Sequence, residues 1–298
     1  MNDSAMDNPN RQPPRLTIVT HRKPHLDEVV AAWLLTTFDP ALKDAAFQFV
    51  GYTTDGSNVP TGEQYVAIGV GRGKFDEHRL QVGHSCCQLV YQDLLRRGLI
   101  PNDRFEDKAI EWLVDYAHKE DTGQWEITDP NYTSFSIPAI LRGIWMVHQD
   151  DQVLMQKGLE IIAAVAAQLD ERAKFLLDWD KRIEFKTQWG KAVAVHSSFR
   201  GSDAMAYHHH FILRVQTDPT KAFGDYRAPA NSQVDLTDLS KKLNALEPGS
   251  WYLHQSKKIL TSNVDPSSGH QPTKFSLPQL IDFVKKPNTS RPAPVPGK

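Results

Sequence analysis

Cysteine is nearly absent: the 298 residues hold two, Cys86 and Cys87, side by side. Neighbouring cysteines seldom pair with each other, which points to buried thiols in a reducing cytoplasm, with a redox pair as the alternative. An excess of charge of one sign is also missing. Lysine and arginine number 34 against 36 aspartates and glutamates, which argues against a protein that grips long duplex DNA by net charge, while a local basic groove stays open. No apolar run approaches the roughly 20 residues of a membrane span, and the N-terminus lacks a signal peptide's hydrophobic segment. Internal repeats are lacking too. What is left is an ordinary soluble composition in a chain long enough for two domains, each with its own core.

The chain is organised around Leu16 to Leu35, LTIVTHRKPHLDEVVAAWLL. Leu16 to Thr20 is a short β-branched apolar run, which predicts a buried strand. His21 to Glu28 is a polar turn with Pro24 and four candidate metal ligands, His21, His25, Asp27 and Glu28. Val29 to Leu35 reads as the opening of a buried helix. Ligands in open α/β sheets bind beyond the carboxyl ends of strands, where this turn would lie. The plainer reading makes Asp27 only the cap of the following helix. A zincin-like helix fits less well, because Pro24 disfavours helix at Lys23 and no glutamate directly follows His21.

Met1 to Pro14 is Asn/Pro/Asp-rich and predicts a disordered leader, 1–14. Strands are expected at Phe47 to Tyr52 and Gln64 to Val70. The second runs into GVGRGKFDEHR, whose glycines make only a weak phosphate-binding signal, and which carries Asp76, Glu77 and His78 just after a turn. Helical spacing follows at Ser85 to Arg97 and at Phe105 to Tyr116, the latter leading to Asp121-Thr122-Gly123 at or beyond a helix end. From Asp150 to about Phe185 the pattern is helical almost throughout. Beyond it, Lys191 to His196, His208 to Gln216 and Ser250 to His254 read as strands, and Val234 to Leu246 and Leu277 to Val284 as helices. His208-His209-His210 looks like a metal tract, but strand alternation would point neighbours to opposite faces. The expected organisation is a metal-binding catalytic domain over 15–149, a helical linker over 150–186, a C-terminal domain over 187–285 and a loose Pro/Lys/Arg tail over 286–298.

Three polar clusters, HRKPHLDE, FDEH and DTG, thus fall in order at strand or helix ends. Their order and spacing resemble the DHH phosphoesterase superfamily, which includes RecJ-type nucleases, oligoribonucleases and family II pyrophosphatases. His21 to Asp27 matches its H-x-x-P-D-x-D motif except at His25, and the H-x-x-x-H-x-D-E form is closer to the Myg-type branch. Asp76-Glu77-His78 stands where the namesake triplet would be, Ser85 to Leu95 resembles the helix after it, and Asp121-Thr122-Gly123 matches the D-T-G motif. The likeness covers about Leu16 to Trp125 and, more loosely, a C-terminal substrate domain in which Gly269-His270 faintly resembles a G-G-H loop. The fold implied is α/β: an N-terminal, mostly parallel sheet flanked by helices, joined by a long helical linker to a smaller α+β domain.

Two departures matter. The family's bridging aspartate at the end of its second motif strand is matched here by Gly69, and the middle histidine of the triplet by Glu77. Removing an anionic bridge takes away charge that holds two dications about 3.5–4 Å apart, so one ion or two are both open. The resemblance implies hydrolysis of phosphodiester bonds in short oligonucleotides or single-stranded RNA, with Mn2+ or Mg2+ as cofactor. His21, His25, Asp27, Glu77 and Asp121 would be metal ligands and His78 and Asp76 catalytic. His270, Arg200 and Lys274 would bind substrate in a C-terminal domain closing over the site. Trp251 and Tyr252 are core candidates before they are base-stacking ones. A phosphatase for a small phosphate compound and a degenerate nucleotide-binding protein are the alternatives. A cytoplasmic location, no membrane partner and an optional homodimer complete the expectation.

Overall fold

The β-branched run at the start of the organising stretch forms β1 (Thr17–His21), whose Ile18, Val19 and Thr20 are fully buried. The computed structural model describes residues 15–51, 53, 56–79, 83–101, 103–124, 129–262 and 272–285. The chain divides into two units, Met1–Asp170 and Glu171–Lys298.

In the first unit β1 is the centre of a three-stranded parallel sheet, between β2 (Ala46–Val50) and β3 (Tyr65–Ala67). The polar turn leads into α1 (Leu26–Phe38), in which Val29, Val30, Ala31, Ala32, Leu34 and Leu35 are all buried. A helix apolar on every side belongs in the middle of a core, and each such leucine or valine contributes about 1.5–3 kcal/mol on leaving water. Around α1 pack α2 (Cys86–Arg96) and α3 (Arg104–Asp121), with Cys86, Val90, Leu94, Leu113 and Val114 in the shared core. Both cysteines are buried and free. α4 (Ile137–His148) and the first part of α5 (Asp151–Asp180) close the core through Leu141, Leu154, Met155 and Ile162. At Gly158 a Cβ would stand 2.8 Å from Val29 Cγ1, so glycine lets α5 approach α1 closely.

The second unit is built on a six-stranded sheet, ordered β4 (Ile183–Thr187), β5 (Gly190–His196), β6 (Leu213–Thr217), β7 (Gly224–Arg227), β9 (Ile259–Ser262) and β8 (Trp251–Leu253). Only β5 and β6 run parallel. Period-two alternation places Ala192 and Ala194 in one core, with Leu213, Tyr226 and Leu260. Val193 and Val195 face a second core with Phe175 and Trp179 from the end of α5. The helices are α6 (Ser202–His208), α7 (Thr237–Leu246) and α8 (Leu277–Asp282). A parallel-sheet α/β region followed by an α+β region agrees with the fold class expected.

Several expectations are corrected. α5 ends at Asp180, and residues 183–187 are β4 rather than helix. Phe175, Trp179 and Ile183 recur every four residues, so the helical period runs on through a strand's first residue. Over 208–216 the strand begins only at Leu213: His208 ends α6, and His210 is in the left-handed region at φ +60°. His209 stacks on Trp179 at 5.3 Å. No cluster of three ligating side chains among the described residues includes the histidine tract. α4, for which there was no expectation, starts with Ser136 accepting from Ala139 N–H and with Pro138 in the first turn, a start signal readable in SIP. Among the described residues no helix is long and apolar enough to cross a membrane.

Candidate metal centre

The turn between β1 and α1 builds the site because strand and helix are both buried and fix its two ends. His21 is the last residue of β1, and His25 is the N-cap of α1. His21 Nδ1 lies 2.7 Å from the Arg22 carbonyl, which fixes that nitrogen as the donor and turns Nε2 inward. Metal-binding histidines are oriented in this way, by a backbone carbonyl on the far nitrogen. Nε2 meets Glu28 Oε1 at 2.9 Å, and Glu28 Oε2 accepts the His25 N–H at 2.7 Å. The His25 ring stands edge-on to His21 at 5.0 Å.

Asp27 is 1% exposed, one residue from Glu28. Its Oδ2 accepts the Cys86 thiol at 3.2 Å, while no hydrogen-bond donor reaches Oδ1. Glu77 follows the turn after β3. Its Oε1 lies 3.2 Å from His78 Nδ1, and its buried Oε2 likewise receives no donor. Buried polar atoms are ordinarily satisfied, and these two oxygens are not, a condition that Asp93 Oδ2 and Asp225 Oδ1 share elsewhere in the fold. Asp121, the last residue of α3, lines one cavity with His25 and Asp27. Three ligating groups occur among the described residues, His21 with His25 and Glu28, Asp27 with Glu28 and Cys86, and Asp76 with Glu77 and His78; Asp76 and His78 line a separate cavity with Gly71 and Arg72.

The electrostatics show how close these clusters are. Burial first, then the charges of Glu28 and Asp121 and a hydrogen bond shared with the Glu28 carboxylate, push the Asp27 carboxyl well above the usual range. Burial likewise raises Glu77 to about 7, with Glu28 and Asp76 adding to the rise against the pull of His78. Asp121 is raised by lost hydration and by Glu28. Burial opposes charge on both members of the His21–Glu28 pair, but their contact prevails: His21 rises to about 9 and Glu28 falls to about 2. Burial and the charges of Asp27 and Glu28 keep the Cys86 thiol protonated, so it donates to Asp27. Four carboxylates thus share one region with a single strongly held internal cation, His21. The imidazole and carboxylate donors, with two bare buried oxygens, fit a divalent cation.

The space beside Gly69 is filled from elsewhere. The glycine adopts φ +64°, and a Cβ there would lie 2.7 Å from Glu28 Oε1. The Glu28 carboxylate therefore takes up the space into which a side chain at 69 would project. Glu28 was legible as a candidate ligand in the turn, but its relation to Gly69 was not, because the two are 41 positions apart and meet only in space.

Asp76 is committed to its own turn: it accepts the backbone N–H groups of Arg72 and His78 and lies 3.0 Å from the His78 ring nitrogen. The His78 side chain is half exposed. Of the substrate-binding candidates, Lys274 lines a cavity of about 680 Å³ in the second unit with His196, Thr217 and Lys221. The Arg200 guanidinium lies over Phe223, which lines the same cavity, at 5.5 Å. His270 lies outside the described residues. Trp251 is buried in the second core, whereas Tyr252 is exposed. Fold and site define a two-unit α/β protein whose clustered His, Asp and Glu side chains could hold a metal ion. The chain matches no protein-family model and no curated protein.

Proposed function

We propose that the first unit is a metal-dependent phosphoesterase of the DHH kind, nearest its Myg-type branch, acting on phosphodiester bonds of short oligonucleotides or single-stranded RNA. The observation that supports it most is the clustering of His21, His25, Asp27, Glu28 and Glu77 into groups whose ligating atoms lie within 4.8 Å of one another in each group. His21, His25, Asp27, Glu77 and Asp121 form the ligand set, and Glu28 joins it in place of the acid absent at Gly69. Manganese or magnesium held there would activate water and neutralise charge developing on the phosphoryl oxygens. His78 contacts the phosphate or protonates the leaving oxygen. Asp76 orients the His78 ring and acts as a positioning residue. The near balance of charge favours, as a second reading, a phosphatase for small phosphate compounds.

The test uses the full chain, stripped with a chelator and reloaded with manganese, against labelled dinucleotides, short RNAs and phosphomonoesters. Cleavage of the first two, lost with the metal and lost in Asp27→Ala and Asp121→Ala while circular dichroism is unchanged, is the expected result. Cleavage of phosphomonoesters alone selects the second reading. A chain that retains no metal and cleaves nothing refutes both.

A further inference from the structure

We propose that the first unit also binds the organic part of a nucleotide substrate, holding its base against Trp145 in the cavity beside the metal ligands. The inference rests on the metal-centre reading for the position of the phosphate and adds to it the side chain against which the base is held.

The cavity, about 490 Å³, has two chemically different walls. One carries His25, Asp27 and Asp121, the groups assigned to the metal. The other is apolar and comes mainly from α4, through Leu141, Trp145 and Met146. Two cations, Lys23 and Arg142, line the same space, as does one further carboxylate, Glu120 beside Asp121. A ligand complementary to all of this is anionic at one end and flat and apolar at the other. A nucleotide is such a molecule. An acyl chain would leave the two cations without a partner, and a bare sugar phosphate would leave the apolar wall wet.

Trp145 is placed to act as a platform. The Lys23 ammonium lies 3.8 Å from its ring centroid, so the indole electrons already take part in a cation–π contact at the cavity wall. Lys23 is anchored for this by its backbone, which is in the left-handed region at φ +56° and donates to Asp151 Oδ1 at 2.8 Å. Met146, 72% exposed, extends the apolar surface with a soft, adaptable side chain. Stacking on an aromatic ring tolerates any base, because every base has a π-face. The volume lies within the range of small-molecule sites, about 300–1,000 Å³, and suits one nucleotide rather than a duplex.

The experiment measures binding by calorimetry on the full manganese-loaded chain, with adenosine 5′-monophosphate and ribose 5-phosphate as probes. They share the phosphate and sugar and differ in the base. Adenosine monophosphate is expected to bind at least about tenfold more tightly. Trp145→Ala should erase that preference while leaving the dissociation constant of ribose 5-phosphate in place, and Trp145→Phe should keep part of it. Met146→Ser, at an exposed position where folding is safe, should reduce the preference about two- to threefold. Equal affinities for the two probes, no binding of adenosine monophosphate, or a preference that survives Trp145→Ala overturns the proposal. Failure of the metal-centre reading looks different: removing manganese would then leave the affinity of both probes unchanged, whatever the base preference.

Discussion

The two units bury acidic side chains in opposite ways. In the second, Asp225 is 2% exposed and is met by Arg214 Nη1 and Arg227 Nε, each at 2.8 Å. In the first, Asp27, Glu28, Glu77 and Asp121 gather around the imidazoles of His21 and His78, with no lysine or arginine ion-paired to them among the described residues; a bare oxygen does not tell the two apart, because Asp225 Oδ1 accepts nothing either. The chain supplies its own counter-charge for Asp225 and leaves the other cluster short of positive charge. A buried charge without a partner is costly, so the first arrangement makes sense when a cation comes from outside. The difference separates a structural ion pair from a site.

The sharpest test of this contrast breaks the self-neutralised pair. Asp225→Asn leaves the Arg214 guanidinium, 1% exposed, without its charge partner, and should cost about 3–5 kcal/mol in urea unfolding. Manganese affinity, read by calorimetry, should stay the same. Asp27→Asn is the mirror experiment. It should leave the metal-free protein at least as stable as the parent and remove the stabilisation by manganese, about 2.7 kcal/mol at a hundred times the dissociation constant. A metal-free Asp27→Asn protein that is much less stable would mean that Asp27 is already compensated. Next in size, Gly69→Ala forces a non-glycine residue into the left-handed region and a Cβ against the Glu28 carboxylate. A stability loss of about 1–3 kcal/mol is expected, together with weaker manganese binding; a loss of stability alone would remove Glu28 from the ligand set.

The pH dependence follows from the same imbalance. Glu77 titrates at about 7 in the folded chain against 4.5 for the ordinary group, so between these values the folded state holds a proton that the unfolded state has released. Stability of the metal-free protein should therefore fall as pH rises from 4.5 to 7. His21 acts in the same direction at higher pH: its stabilisation is full below 6.5 and lost as pH rises through about 9. Glu28 works at the other extreme, its contribution present above 4.5 and lost as pH falls through about 2. Because a metal displaces these protons, manganese affinity should climb between pH 6 and 9. Urea titrations of the stripped protein at pH 5, 7 and 9, beside calorimetry with manganese, check both slopes; flat profiles would contradict the proton assignments. The smallest effect is expected from Cys86→Ala, which deletes the thiol donor to Asp27 and should cost about 1 kcal/mol. Cys86→Ser should restore most of it, read as recovery of manganese affinity.

Much of the local framework around the candidate metal ligands was visible in the residues. The change at His21 from a β-branched run to a polar turn, and then to an apolar helix, marked the β1–α1 junction from local pattern alone. Asp121 was placed at a helix end by the glycine two residues on, and Gly123 is indeed left-handed there at φ +68°. The helix 104–121 began and ended where its caps allow, with Asp103 accepting from Phe105 N–H. What escaped was non-local. The switch from α5 to β4 kept a helical period by coincidence, and strands β7 and β9 are short pieces defined mainly by their neighbours. α4 drew no attention, yet it supplies the apolar wall facing Asp27 and Asp121 across one cavity.

By itself the sequence determined about where the strands and helices of the first unit start, α4 excepted, which side chains can carry charge or bind a cation, and that polar groups crowd one strand-to-helix turn. Those are matters of local periodicity, capping and residue chemistry, settled within a few neighbours along the chain. Only the tertiary structure decided that Glu28 fills the space at Gly69, that Asp27 and Glu77 each keep an oxygen bare, and that Trp145 borders the same cavity. Desolvation, Coulomb forces and steric fit act through distance in space, and folding brings residues 28 and 69, or 27 and 145, to the same place.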